Sequence, residues 1–380
     1  MTTRRRPIPS TPEPPPLPLE RLATPRPAPP PDLPKPITPP GVPMLSTGSA
    51  AVYHELRASM RPDAFKRYNE TPFPVALINE PTAKGQIQLK PPMFDDFPAF
   101  TPEELDGWAV EMWKQVDDLS ELDADALDAL CHLWMQQAHS PDAKATVAID
   151  ALLELRGMKP KKGGAGRRGG YEPEQRREIL GALARLQNVW LSLTELETYE
   201  PINNGKGRRK ATRRSITSRA FTFSTFLGQS RVDGSMDVER VIFSPGELLA
   251  LFLWGPGRQT ALISAKALHF DPYRQAPEKA LTRYLSWQWR TRANTQGYLA
   301  PYRIMTLLEN GRLQLNARHP VRTLERLEHA LETLHSEGII ASWRYDAWDL
   351  GAAPARGWAP LWLQALVTIE PPAFIRDHYV

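Results

Sequence analysis

Read for the spacing of apolar and polar positions, the chain changes character twice. Residues 1–45 show no periodicity. Between Val52 and Pro98 the pattern is mixed, and the runs "FPVALI" (73–78) and "QIQL" (86–89), set between turn residues, predict two short strands. From Pro102 onward the period is helical. Thr101 ahead of "PEEL" is a start signal, with a hydroxyl at the N-cap, proline at the first helical position and glutamate next.

Beyond residue 120 the same order of elements is read twice. The first pass runs through a helix at 123–138 with Leu127, Leu130 and Trp134 at helical spacing, a strand "ATVAI" (145–149) and a short helix "DALLELRG" (150–157). A Gly-rich basic loop (159–170) and a long helix at 172–193 follow. The second pass has a helix at 277–293, a turn at Gly297, a short helix at 301–311, a loop at 312–318 and a helix at 320–337. Each pass ends in hairpin-forming material, 219–228 with 239–244 and 338–346 with 360–370. Helices followed by a two-stranded wing describe a winged helix-turn-helix. The expected fold is therefore mainly α with small β-hairpins (α+β): two such domains in series, 101–260 and 261–380, behind a mixed lead-in segment at 46–100.

The wheels of the two long helices supply the candidate chemistry. In 320–337, Leu324, Leu327, Leu331 and Leu334 make one narrow stripe, the core face. Opposite it project Arg322, Arg326, His329 and Thr333, with Glu328 and Glu332 toward the flank. Pro320 and Gly338 suit the two ends. A recognition helix points its N-terminal end at bases, and here that end carries Arg318, His319, Arg322 and Thr323. Arginine bridges guanine O6 and N7, and threonine contacts a thymine methyl. Arg344 in the second hairpin joins this set. In 172–193 the stripe is Ile179, Leu183, Leu186 and Trp190, and Tyr171, Arg176 and Arg177 near its start are candidates for phosphate contact. The bland alternative for 320–337 is a solvated face over a three-helix core, and for Gly181 and Ala184 on the outer side of 172–193 it is packing against a neighbouring helix.

Composition adds a tail. Residues 1–45 hold 17 of the 39 prolines, so this stretch is expected to be disordered or polyproline II, a tether. The net charge is +4 with a pI near 9.1, which implies no partner by itself. The distribution says more: seven Lys or Arg and no acid lie between Lys206 and Arg219, while acids gather in 101–130. Two Gly-rich basic loops, 159–171 and 203–219, lack the spacing of a P-loop. They are expected to neutralise phosphates, the second through Lys206, Arg208, Arg209, Lys210, Arg213 and Arg214. The single cysteine, Cys131 in "ALCHLWM", is expected in the core and suits a reducing compartment. No apolar run is long enough to span a membrane and no signal-peptide pattern is present, so the expected location is cytoplasmic.

No HExxH, CxxC or Gly-x-Ser-x-Gly pattern occurs, and no cofactor, metal or enzymatic activity is expected. "RHPVR" with Tyr379 resembles the Arg/His cluster and nucleophile of tyrosine recombinases, but that family's histidine–leucine–arginine–histidine box is missing. The better resemblance is carried by "AIDALLELRG…YEPEQRREILGALARLQNVWLSL" and "PYRIMTLLENGR…HPVRTLERLEHALETLHSEGIIASWRYD". In this order the elements over 120–370 resemble the iteron-binding replication initiators of bacterial plasmids. That resemblance implies sequence-specific double-stranded DNA binding near an origin, host replication proteins as partners and no catalysis; a homodimer is a separate expectation. A winged-helix transcriptional regulator and a protein-binding scaffold are the alternatives.

Overall fold

The computed structural model describes residues 43–91, 101–163, 169–199, 211–230, 236–255, 258–351, 353–354 and 357–379. The proline-rich tail up to residue 42, the centre of the first basic loop, and Lys206, Arg208, Arg209 and Lys210 lie outside them.

The segment expected as a lead-in is part of the core. Strand β1 (Met44–Gly48) and helix α1 (Ala51–Ala58) come first, and α1 buries Val52, Tyr53, Leu56 and Arg57. Strands β2 (Lys66–Tyr68), β3 (Thr71–Glu80) and β4 (Ala83–Leu89) form an antiparallel meander. The two strands predicted at 73–78 and 86–89 fall inside β3 and β4. Helix α2 (Pro102–Asp117) opens at the expected start signal, where Thr101 and Glu104 form a capping box. Helix α3 (Glu121–Gln137) opens with another, Ser120 with Asp123, and buries every residue from Asp123 to His132. A helix buried on all sides belongs to the centre of a fold, and Cys131 lies in it, fully buried.

The chain then passes through β5 (Ala145–Ala148), α4 (Ile149–Leu155) and α5 (Pro173–Gln187). Helix α5 stops six residues short of its expected end at 193. Asn188 caps it, and β6 (Val189–Tyr199) begins at once, because Val189–Leu196 pair with β4 on one edge and with β7 (Ala211–Arg219) on the other. Tertiary pairing overrides helical spacing here. Trp190, expected on the helix stripe, is buried in β6 with Lys90 and Arg219 over its ring at 4.4 and 4.9 Å. Part of the expected basic loop is likewise the strand β7. The five-stranded sheet runs β2-β3-β4-β6-β7.

Strands β8 (Phe221–Ser230) and β9 (Met236–Pro245) form the first predicted hairpin. After α6 (Glu247–Leu253), β10 (Thr260–Ser264) returns to pair with β1. The short α7 (Lys266–His269) leads into α8 (Ala276–Ala293), β11 (Tyr302–Arg303), α9 (Ile304–Asn310) and α10 (Pro320–Ser336). Gly338, at φ 68°, stands just past α10, where a left-handed residue was expected. Strand β12 (Ser342–Tyr345), helix α11 (Ala359–Gln364), strand β13 (Leu366–Glu370) and helix α12 (Ala373–His378) complete the described chain. The second hairpin is thus shorter than expected, since 359–364 is helical.

Two stretches share one topology. The first reads α3-β5-α4-α5-β8-β9 with sheet order β5-β9-β8, and the second α8-β11-α9-α10-β12-β13 with sheet order β11-β13-β12. Both three-stranded sheets are antiparallel. In both, the first strand runs straight into a seven-residue helix: Ala148 (φ −79°, ψ 140°) and Arg303 (φ −76°, ψ 138°) occupy the N-caps. Ile149, Leu152 and Leu153 are buried in α4, and Ile304, Leu307 and Leu308 in α9. The hairpin β6–β7 is an insertion in the first repeat, and α11 an insertion in the second. Buried apolar side chains form two clusters, one from Leu45 to Leu268 and one from Leu262 to Ile375.

Candidate nucleic-acid interface

The N-terminal end of α10 is built by a small hydrogen-bond frame. The Asn316 side chain accepts from the backbone N–H groups of Arg318 and His319 at 3.1 and 3.0 Å. Thr323 Oγ1 accepts from the Asn316 N–H at 3.0 Å and donates to the Gln314 carbonyl at 3.4 Å. Thr323 is only 5% exposed, so this expected base contact is a buried brace for the loop. The brace presents Arg318, His319 and Arg322, all exposed. His329 and, on β12, Arg344 are exposed as well.

Arg326 departs from the expected outward ridge. It donates to both Glu278 carboxylate oxygens at 2.7 Å and to the Arg274 carbonyl at 3.1 Å. Glu278 is buried on α8 and no other cation pairs with it among the described residues. A bidentate pair on a buried carboxylate is a structural clamp. The outward face of α10 also has mixed sign, because Glu325 and Glu332 are exposed alongside Arg322 and His329. Trp343 on β12 donates its ring N–H to Glu332 at 3.3 Å, which ties strand to helix.

The candidates near α5 are engaged. Arg176 makes a bidentate pair with Asp150 at 2.7 Å. Arg177 is exposed and paired with Glu174 one turn away. The Tyr171 hydroxyl donates to the Met158 carbonyl at 3.1 Å. The outward side of α5, with Arg177, Gly181 and Arg185, lines a cleft of about 990 Å3 shared with Asp271 and Tyr273 of the α7–α8 connection. On β7, Arg214 is exposed opposite Leu196, and Arg213 holds the register position opposite Glu197.

The acid-rich stretch conceals a feature that wheel analysis missed. The two repeats meet through their first helices, α3 and α8, and the contact is ionic. Asp125, fully buried, accepts from Arg156 at 3.1 Å, Lys279 at 3.0 Å and Arg283 at 2.6 Å. Asp128, also fully buried, accepts from Thr47 at 3.0 Å, Tyr53 at 2.8 Å, Arg57 at 3.2 Å and Arg283 at 3.0 Å. Arg283 reaches Glu121 as well at 2.6 Å, and Arg312 closes on the other Glu121 oxygen. Burial would push the Asp128 carboxyl up, but Arg57 and Arg283 outweigh it and hold it below the usual range. Burial brings the Lys279 ammonium down to about 8 against the opposing pull of Asp125. The signal was present as spacing: Glu121, Asp125 and Asp128 share one helix face, and so do Lys279 and Arg283.

Among the described residues no cluster of His, Cys, Asp and Glu has metal-binding geometry, and no helix is long and apolar enough to cross a membrane. No protein-family model matches the chain, and no curated protein does. Among solved structures, the chain is similar to domains 2–3 of RctB, with 13% identity, a TM-score of 0.41, and coverage of 87% of this chain and 100% of the other. A selenomethionine derivative of RctB domains 2 and 3 gives 14% identity, a TM-score of 0.36, and coverage of 72% and 82%. Likenesses at this level define neither the fold nor the function of the chain.

Proposed function

We propose that the protein is a non-enzymatic, sequence-specific binder of double-stranded DNA, built from two winged-helix units in tandem and acting as a plasmid or phage replication initiator. One observation carries this reading: the order helix–strand–helix–helix–strand–strand occurs twice, each time with its sheet strands arranged first–third–second. That is the arrangement in which a winged helix-turn-helix holds its third helix and hairpin against a duplex. In the second repeat, α10 is the reading helix. Arg322 contacts a base edge, and Arg318, His319 and Arg344 contact the backbone. Two units in one chain suit a bipartite or repeated site, as an origin offers.

Fluorescence-anisotropy titration of the full chain, with duplexes tiled across the DNA flanking its gene, tests the reading. Salt-sensitive binding that prefers one segment is expected. A plasmid carrying the gene and that segment is expected to replicate in a host that cannot otherwise maintain it. Equal affinity for all segments would remove sequence specificity, and no affinity for any duplex would remove the reading altogether.

A further inference from the structure

The charges on the outer side of α10 are sorted into two edges. At about 100° per residue, Arg322, Arg326, His329 and Thr333 fall within an arc of about 60°, and Glu325, Glu328 and Glu332 within another of about 60°. Contacts show which neighbour each edge faces. Glu332 receives the Trp343 ring N–H of β12, so the acidic edge lies toward the hairpin. Arg326 reaches Glu278 and the Arg274 carbonyl, so the basic edge lies toward the turn that leads into α8.

That turn is fixed through its backbone and leaves two side chains free. Asp271 Oδ1 accepts from the N–H groups of Tyr273 and Arg274 at 2.9 and 2.7 Å, and Gln275 Oε1 accepts from the Asp271 N–H at 3.2 Å. Arg326 holds the Arg274 carbonyl at 3.1 Å. Yet Tyr273 is 90% exposed, and Arg274 is exposed with no ion pair among the described residues. Arg322 stands one turn before Arg326 on the same edge, ~6 Å along the helix. The reading arginine and this turn are therefore neighbours on one side of the molecule, joined through Arg326.

We propose that Tyr273 and Arg274 contact the phosphodiester strand bordering the groove on the α8 side, opposite the strand met by Arg344 of the hairpin. The inference rests on the DNA-binding reading and adds the second wall of the groove to it. A major groove about 12 Å wide has a backbone strand on either side of an inserted helix. Helix α10 has β12 on one flank and residues 271–275 on the other. The guanidinium makes a charge-assisted hydrogen bond to a phosphate, and the tyrosine hydroxyl donates to a phosphate oxygen. With the backbone already held, only side-chain rotamers are ordered on binding. The competing account is a solvated turn whose one task is to start α8.

The test uses the full chain and the best-bound duplex, titrated by anisotropy between about 50 and 200 mM NaCl. Arg274→Gln is expected to lower the slope of log K against log salt by about 0.9. Binding then weakens roughly 5-fold at about 0.15 M salt, equally for specific and unrelated duplexes, with an unchanged melting temperature. Tyr273→Phe, which removes one hydrogen bond to a charged group, is expected to weaken binding about 10-fold. Single neutral methylphosphonate links, walked along each strand, give the second readout. One link is expected to weaken the wild type and to leave Arg274→Gln unchanged, and a link on the other strand is expected to do the same for Arg344→Gln. An Arg274→Gln chain with wild-type slope and affinity, beside an Arg322→Ala chain that loses binding, overturns the contact and leaves the reading intact. A loss that no single link reproduces overturns it too, because a merely structural turn acts on every phosphate alike. Links for Arg274 and Arg344 on one strand overturn the placement, and a wild-type chain that binds no duplex overturns both the contact and the reading.

Discussion

Helices α5 and α10 carry the same spacing of buried residues, each in its own core, and differ in their charges. The buried set Ile179, Ala182, Leu183 and Leu186 recurs with identical spacing as Leu327, Ala330, Leu331 and Leu334. Carried outward, that register sets Glu174 against Arg322, Arg177 against Glu325 and Glu178 against Arg326, so every one of these charges is reversed. The partners differ as well. On α5 the cations are closed off by Asp150, Glu174 and Asp123; on α10 only Arg326 is, and Arg318 and Arg322 have no ion pair among the described residues. Packing constrains the inner stripe of both helices, and the outer face is free to take on different roles. The repeat thus defines one scaffold used twice, with cations free of ion pairs among the described residues at the start of α10 and cations closed into ion pairs along α5.

The strongest way to break this comparison is to cut what joins the repeats. Arg283→Met removes the guanidinium shared by Asp125, Asp128 and Glu121 and leaves two fully buried carboxylates short of donors. Breaking a buried pair from one side costs about 3–5 kcal/mol, so chemical denaturation is expected to show a loss of that order. Arg176→Met, which breaks the half-exposed pair with Asp150, is expected to cost less than about 1 kcal/mol. Equal losses for the two variants would mean that the seam between α3 and α8 contributes no more than a surface pair.

Acid is the next probe, through two buried histidines of the first half. His54, stacked on Trp287 at 4.3 Å, is brought down to about 3 by burial and Arg57, and His132 to about 4 by burial. Both belong to the first half; in the second, burial with Arg290 and Arg258 lowers His378 as well. A histidine whose folded pKa lies below its unfolded value binds fewer protons folded than unfolded. Stability therefore falls as pH drops below about 6.5, by about 2 kcal/mol per histidine at pH 5. Denaturation midpoints taken from pH 7 to pH 5 are expected to fall in the wild type and to fall less in His132→Gln. A flat wild-type profile would contradict the buried neutral state.

A contrast on DNA comes third. Arg322→Ala is expected to cost roughly 1–3 kcal/mol of binding to the preferred duplex and to relax preference at one base position. Anisotropy against single-base variants of that duplex reads this directly. An equal loss on every duplex would move Arg322 from reading to anchoring.

The doubled order of helices and strands was legible because it rests on apolar spacing, which survives whatever surrounds it. Ile149, Leu152 and Leu153 even match Ile304, Leu307 and Leu308 letter for letter apart from nothing but their neighbours, a signal that architecture alone did not exploit. What failed was partnership. The periodicity of 172–193 continues smoothly past Gln187, and only the neighbouring β4 and β7 turn Val189–Tyr199 into a strand. Arg326 projects opposite the leucine stripe in a wheel, but a wheel does not contain Glu278, 48 residues earlier. Thr323 likewise looks like an outward hydroxyl until the loop at Gln314–Asn316 folds over it. The acid-rich helix was read as a source of field, when its aspartates are the buried half of an ionic seam.

The smallest expected effects sharpen the comparison most, because they test charge alone. Arg177, in the second turn of α5, and Arg318, two residues before α10, are both exposed cations near a helix start. Their partners differ: Arg177 is paired with Glu174, and Arg318 is held only through its backbone, by Asn316. Removing Arg318 as Arg318→Ala is expected to flatten the salt slope by about 0.9 and to weaken all duplexes alike. Removing Arg177 as Arg177→Ala is expected to change stability by at most about 0.5 kcal/mol and to leave the slope where it was. A phosphate competing for Arg177 must first displace Glu174, and it gains only the difference between the two. If both variants flatten the slope equally, the local ion pair does not screen α5 from DNA, and the two helices bind alike despite their reversed charges.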